Sequence, residues 1–265
     1  MMPHPSSSSL PSGGGLYPSP LSGLIHSRRL GLSLGINVLP ADGKVCTFDC
    51  LYCECGFNAD CRPHRPMPSR QEVAEALEQR LQELVAQGVC PDSLTFSGNG
   101  EPTLHPEFTG IIDDVLRLRD RYVPKAMVSV LSNATQVVRD EVRAALMRVD
   151  NPIMKLDTVS PQFIREVDRP TGHYDVEQIV EALCRMEGKA IVQTMFLSRH
   201  GQSNATEQYT APWMDALRRI RPKEVMIYTI DRPTPDDSLR KVPPDVLDAI
   251  RDLVEGAGFP CIVAY

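Results

Sequence analysis

Cys46, Cys50, Cys53 and Cys55 fall within the single stretch "VCTFDCLYCECG". Thiols this close serve as a disulfide staple, a structural metal site or a reactive one. The start of the chain, "MMPHPSSSSLPSGGGLYPSP", lacks the basic opening and apolar core of a secretory leader. A cytoplasmic location is therefore expected, and with it metal-binding or catalytic thiols rather than disulfides. Structural zinc wants two separated C-x2-C-like knuckles, and here there is one clump. The C-x3-C-x2-C spacing of Cys46, Cys50 and Cys53 suits one face of a cuboidal iron–sulfur cluster, each thiolate on one iron and the fourth iron without a protein ligand. An open metal position marks a reactive site rather than a structural one. Cys55 and Cys61, with His64 nearby, are too few for a second metal and read as free or buried thiols. Cys90, Cys184 and Cys261 are expected as small buried hydrophobes.

A reactive cluster needs a scaffold. Residues 1–23 are rich in Ser, Pro and Gly and are expected to form a disordered tail, leaving 24–265 as one core domain. From residue 34 onward apolar runs alternate with helical periods. "LGINVLP" (34–40), "SLTFSG" (93–98), "AMVSVLSN" (126–133), "PIMKLDT" (152–158), "AIVQTMFLS" (190–198) and "EVMIYTID" (224–231) read as strands, and "FPCIVAY" as a seventh. Ser69 and Glu72 have capping-box spacing before a helix with Val73, Leu77, Leu81, Leu84 and Val85 on one face and Gly88 at its end. Later helical periods carry Ile111 and Val115, then Val138, Val142 and Leu146, and finally Ile250 and Leu253. Ser160 and Pro161 read as a cap with proline at the first helical position. Helical connections demand parallel neighbours with right-handed crossovers. Six such units fall short of the eight that close a TIM barrel. The expected fold is α/β: a partial (β/α)6 TIM-like barrel with an added C-terminal strand and its site at the C-terminal ends of the strands.

The net charge of -6 argues against a protein that coats nucleic acid. No apolar run approaches the ~18 residues of a membrane span. Arg28, Arg29, Lys44, Arg62, Arg65 and Arg70 flank the cysteines, diluted by Asp49, Glu54 and Asp60. A solvated loop is the expected reading, and a site for an anionic substrate stays open. At the second strand end stands "SGNGEPTLHP" (97–106), whose Gly98, Asn99, Gly100 and Glu101 offer close backbone approach and a carboxylate for an ammonium. Ser132 and Asn133 close the third strand. Lys155 and Asp157 share one face of the fourth, as their spacing of two requires; a buried contact between them competes with a ligand-binding role.

C-x3-C-x-aromatic-C after the first strand, with Tyr52 as the aromatic and a "GNGEP" turn one unit later, resembles the radical S-adenosylmethionine (radical SAM) superfamily. The resemblance implies a [4Fe–4S] cluster on Cys46, Cys50 and Cys53 whose remaining iron chelates S-adenosyl-L-methionine. It further implies SAM contacts from Gly98, Asn99, Gly100 and Glu101 to the amino group, and from Ser132, Asn133, Lys155 and Asp157 to ribose and carboxylate. "HSRRLGLSLGINVLP", "MKLDT", "VDRPTG", "VQTMFLS" and "IYTIDRPTPDDSLRKV" extend the likeness to small wyosine-synthase-like Fe–S oxidoreductases over roughly residues 24 to 260. The expected activity is reductive cleavage of SAM to a 5′-deoxyadenosyl radical acting on a small-molecule or peptide substrate, with an external one-electron donor such as flavodoxin or ferredoxin. The competing readings are a tRNA base-modifying enzyme, a glycyl-radical activase and an Fe–S electron carrier. Asp168, Arg169, Gln193, Thr194, Tyr228, Asp231 and Arg232, at or beyond the later strands, are the candidates for the substrate side; pairing of the two arginines with nearby acids competes equally.

Overall fold

The structure, a computed structural model, describes residues 15–27 and 29–265. Its strands are β1 (Leu21–Ser27), β2 (Gly31–Ile36), β3 (Ser93–Phe96), β4 (Met127–Ser132), β5 (Asn151–Lys155), β6 (Ile191–Arg199), β7 (Gln202–Ser203), β8 (Glu224–Thr229), β9 (Leu239–Lys241) and β10 (Cys261–Ala264). Its helices are α1 (Arg70–Ala86), α2 (Phe108–Tyr122), α3 (Asp140–Leu146), α4 (Pro161–Phe163), α5 (Val176–Cys184), α6 (Glu207–Ile220) and α7 (Pro244–Gly256). The main sheet runs β1-β2-β3-β4-β5-β6-β8-β10. From β2 onward every neighbour on this path is parallel, and β1 alone runs antiparallel, against β2. The sheet curls into a half barrel. The expected β/α repeat with a closing C-terminal strand is what the chain forms.

Alternation at period two decides what each face does. Leu34, Ile36, Leu94, Phe96, Val128, Val130, Met154, Val192, Phe196, Val225 and Ile227 point outward and join the helices in one core. The largest buried ring there, Trp213 of α6, packs edge-on against Phe196 and donates its indole N–H to the Leu156 carbonyl at 3.1 Å. The opposite face lines the barrel lumen. Between β2 and β5 it is built of small hydroxyls: Ser33 and Thr95 pair at 2.7 Å, Ser93 and Ser129 at 2.9 Å, and Asn151 reaches Ser129 at 3.1 Å. Toward β5, β6 and β8 it widens into Ile153, Ile191 and Met226, which pack together with Leu30 and Ile262.

α1 starts on the expected box, Ser69 accepting from the Glu72 N–H while the Glu72 carboxylate accepts from the Ser69 N–H. Its last buried residue is Leu84; Val85 lies 46% exposed, on the far side of the helix. Val138 precedes α3, and Leu253 faces outward from α7; both are exposed too. Cys90 is exposed rather than buried, because it sits in the turn before β3, while Cys184 and Cys261 are half-buried.

For residues 1–14 the tail expectation lies outside the described residues, as does Arg28. Gly15 to Gly23 are not tail-like. The Tyr17 N–H donates to Asn99 Oδ1 at 2.7 Å, and β1 begins at Leu21. The chain is therefore seated on the sheet before residue 24, held by backbone hydrogen bonds that composition does not reveal.

Candidate active site

The cysteine loop is strung across the C-terminal mouth of the barrel and tied at both ends. On one side Val45 accepts from the Glu101 N–H and donates to the Asn99 carbonyl, each at 2.9 Å. On the other, Asp49 and Leu51 donate to carbonyls of Val167, Asp168 and Arg169, and Thr171 donates to the Thr47 carbonyl at 2.9 Å. The first tie requires glycine. Gly100 has φ +127°, and a β-carbon there would sit 1.9 Å from the Val45 oxygen. Gly98 is as confined, with Asn37 Oδ1 at 2.3 Å from the place of its missing β-carbon.

Within the loop, Cys46, Cys50 and Cys53 lie in one another's electrostatic field and in that of Lys44. Burial pushes the Cys46 thiol up to about 12, with Glu101 adding to it, and drives Cys50 well upward against the pull of Lys155. Cys53 falls instead to about 6, since the Cys55 thiol donates to it and Lys44 stands beside it. Cys55 rises for the mirror reason. The Cys55 sulfur also lies 3.6 Å from the Gly98 carbonyl oxygen, the alternative acceptor for its one hydrogen. Lys44 is nearly inaccessible and donates to the Gly56 carbonyl at 2.8 Å. Burial would lower its ammonium, but the thiols of Cys53 and Cys46 outweigh burial and raise it. A buried cation among thiols favours their thiolate form, the form iron takes. Among the described residues, no three His, Cys, Asp or Glu side chains converge as ligands of one ion would. Cys46, Cys50 and Cys53 share one electrostatic field beside the buried Lys44 ammonium, which suits thiolates that each take a different iron of one cluster.

Other expected residues fall into three groups. Glu101, Ser132 and Asn133 form one buried knot: Glu101 Oε1 accepts from Thr103 N–H and Oγ1 and from Ser132 Oγ, and Oε2 accepts from the Asn133 N–H at 2.5 Å. Burial raises the Glu101 carboxyl, although those donors oppose it. Asn133 reaches back to the loop, donating to Thr47 Oγ1 at 2.9 Å and Cys46 Sγ at 3.5 Å. Lys155 stands between Asp157 at 2.6 Å and Asp168 at 2.5 Å, under the rings of Phe48 and Tyr52. Tyr52 also donates to Asp157. Burial would lower Lys155, yet the two carboxylates lift it well above its ordinary value. Burial raises Asp168 to about 7 despite Lys155.

The third group lines a lumen cavity of about 280 Å³: Gln193, Tyr228, Asp231 and Arg232, with Arg29 and Leu131. Arg232 meets Glu54 at 2.6 Å on the rim, and the Tyr17 hydroxyl reaches the same carboxylate at 3.3 Å. One expectation needs correction, and for Arg169 the competing pairing is the one formed. Thr194 points away from the lumen and donates to the Leu156 carbonyl at 2.8 Å, since its parity on β6 is that of Val192 and Phe196. Arg169 pairs with Asp49 at 3.4 Å and lies over Phe57, bracing the loop. Asn99 spends its amide on Tyr17 and Pro40 carbonyls and its oxygen on the Tyr17 N–H, pinning the N-terminal segment. Sequence reasoning missed Tyr17 and gave Lys44 and Arg29 no individual role; only their placement shows what they touch.

The family model of the radical SAM superfamily matches residues 42–199, from just before the cysteine loop to the end of β6. The chain belongs to the radical SAM superfamily. That superfamily works with a [4Fe–4S] cluster and SAM, the pair expected from the sequence. The radical SAM chain is 30% identical over 226 residues to a UPF0026 protein of Methanocaldococcus jannaschii, covering 83% of this chain and 66% of that one. It thus spans slightly under two thirds of that relative's length. Its fold is similar to that of a radical SAM methyltransferase from Sphaerobacter thermophilus, with TM-score 0.68 and 13% identity over 91% of this chain and 68% of that one. It is also similar to archaeal TYW1, with TM-score 0.52 and 12% identity over 84% and 71%. Among the described residues no helix is long and apolar enough to cross a membrane.

Proposed function

We propose that this chain is a radical SAM enzyme acting on a small molecule held in the barrel lumen. Cys46, Cys50 and Cys53 would hold the cluster, and the Gly98–Glu101 turn would hold SAM beside it. The bound pair supplies reductive cleavage of SAM to a 5′-deoxyadenosyl radical that removes a substrate hydrogen. The protein's part is position and exclusion of water. Lys44 offsets thiolate charge. Glu101 fixes the end of β4 to the turn, and its Oε2, which accepts one donor in the structure, keeps a lone pair for an ammonium hydrogen. The Lys155–Asp157–Asp168 set holds Tyr52, and with it the loop, against the strand ends.

The observation that carries this reading is the double tie of the cysteine loop, to the glycine turn and to residues 167–171, over a cavity of about 280 Å³. That volume suits a small molecule; of a peptide or a tRNA it admits one side chain or one extruded base. The motif likeness to the wyosine-type group makes tRNA the reading to exclude, and salt-sensitive retardation of tRNA in a gel would install it. The direct test is anaerobic reconstitution followed by dithionite and SAM. 5′-Deoxyadenosine is expected from the parent chain. Cys50→Ala is expected to lose cluster and product together, and Cys55→Ala to keep both. An intact cluster that cleaves no SAM would overturn the enzyme reading, and cluster loss in Cys55→Ala would overturn the ligand assignment.

A further inference from the structure

Two donors in the lumen have nothing to donate to. Arg29 Nη1 and Gln193 Nε2 are buried and without a hydrogen-bond partner, and both residues line the same cavity. Gln193 is 8% exposed and sits on β6, which is paired on both sides, with β5 and β8. Arg29 follows β1 in the hairpin turn, and its guanidinium lies 4.8 Å from the centre of the Tyr228 ring. Gln193 and Tyr228 stand on neighbouring strands one pleat apart, Gln193 opposite Met226 and Met195 opposite Tyr228. Arginine and amide therefore open on one space.

The charges around that space are otherwise balanced. Arg232 has Glu54, Lys155 has Asp157 and Asp168, and Asp231 faces Lys241 at 3.9 Å. Among the described residues no carboxylate pairs with Arg29. A buried donor left without an acceptor is costly, and a buried cation without a counter-charge more so. Water satisfies the donors but leaves the charge.

We propose that Arg29 and Gln193 form the subsite for a carboxylate group of the substrate. One guanidinium matches one negative charge, whereas a phosphate dianion would bring a second, uncompensated charge into the cavity. Leu131, Ile153, Met195 and Met226 form an apolar part of the wall that suits an apolar body attached to that carboxylate, beside the hydroxyls of Ser33, Thr95 and Ser97. The guanidinium lies against Tyr228, which shares an apolar cluster with Leu51 and Tyr52 of the cysteine loop. This rests on the lumen being the substrate cavity of a radical SAM enzyme.

The test is ligand-observed NMR on the reconstituted full chain. The probes are short aliphatic and aromatic carboxylic acids, each with its primary amide and its phosphate-monoester counterpart. Acids are expected to bind at least about tenfold more tightly than amides or phosphates. Arg29→Met should erase that preference and Gln193→Leu should weaken acid binding, each with unchanged iron content and melting profile. Arg29→Lys, which keeps the charge, should keep the preference and covers the case in which Arg29→Met does not fold. Equal binding of acids and amides, tighter binding of phosphates, no binding of any acid, or an unchanged preference in folded Arg29→Met would each overturn the proposal. Binding needs no turnover, so absence of 5′-deoxyadenosine from the parent chain would sink the enzyme reading without deciding this one.

Discussion

Gly100→Ala tests whether the glycine turn holds the cysteine loop. The new β-carbon would lie 1.9 Å from the Val45 oxygen, so one segment must move. Backbone at φ +127° costs a residue with a β-carbon about 1–3 kcal/mol. The shift also strains the two 2.9 Å hydrogen bonds that Val45 makes with Asn99 and Glu101, worth about 1 kcal/mol each net. The sum is about 3–5 kcal/mol, or a melting temperature lower by about 10 °C for a chain of this size. Gly88→Ala is the control. Gly88 also has positive φ, +69°, but nothing stands within 4 Å of its β-position, so only the backbone term of about 1 kcal/mol applies. Urea unfolding and reconstituted iron content of the two variants form the assay. Gly100→Ala should unfold at clearly lower urea and take up less iron. Equal midpoints for the two variants would refute the tie between turn and loop.

Lys155→Met leaves Asp157 and Asp168 facing each other in the interior and should cost about 3–5 kcal/mol in urea unfolding; a loss below about 1 kcal/mol would show that the network is not the brace described. Asp168 has a folded pKa of about 7, above its ordinary 3.8. Its contribution to stability is therefore full below about pH 4 and is lost as pH rises to 7. The cluster-free protein should lose urea resistance across that window, and Asp168→Asn should flatten the slope; parallel slopes would contradict the assignment. Asn99→Ala removes the pin on Tyr17 and should speed proteolysis near residues 15–20 while costing about 1–2 kcal/mol. Unchanged cleavage kinetics would show that the segment is held by other contacts.

The repeat of strands and helices was legible because apolar runs and helical periods alternate from residue 34 to the end. The cysteine loop and its glycine turn were legible because spacing alone separates Cys46, Cys50 and Cys53 from a zinc knuckle. Facing was harder. "SLTF" and "MVSV" look continuously buried, yet their serines and threonine form the polar lumen while leucine, phenylalanine and valine face the helices. Reading those strands at period two would have put Thr194 on the helix side and Gln193 in the cavity. β1 was invisible for another reason. Its strand character comes from pairing with β2, a tertiary fact, and "LSGLIHS" has no apolar run to announce it. The pairing of Arg169 and the side-chain partners of Asn99 stayed open in the sequence because a polar residue in a motif looks the same whether it serves a ligand or another loop.

The hairpin of β1 and β2 explains how seven parallel strands enclose a cavity without closing a barrel. β1 covers one edge of the sheet, and the turn after it carries Leu30 across the floor to Ile153, Met226 and Ile262, at the far side. The same turn places Arg29 under Tyr228, and the other end of β2 leads into the cysteine loop. Floor and roof of the cavity are thus the two ends of one strand, six residues long. A slip of β2 by one residue would put Leu34 into the lumen and Ser33 among the helices. It would also shift the floor and the cysteine loop together. The register of β2 against β3, Ser33 opposite Ser93 and Ile36 opposite Phe96, therefore sets which side chains face the lumen and where the cysteine loop begins.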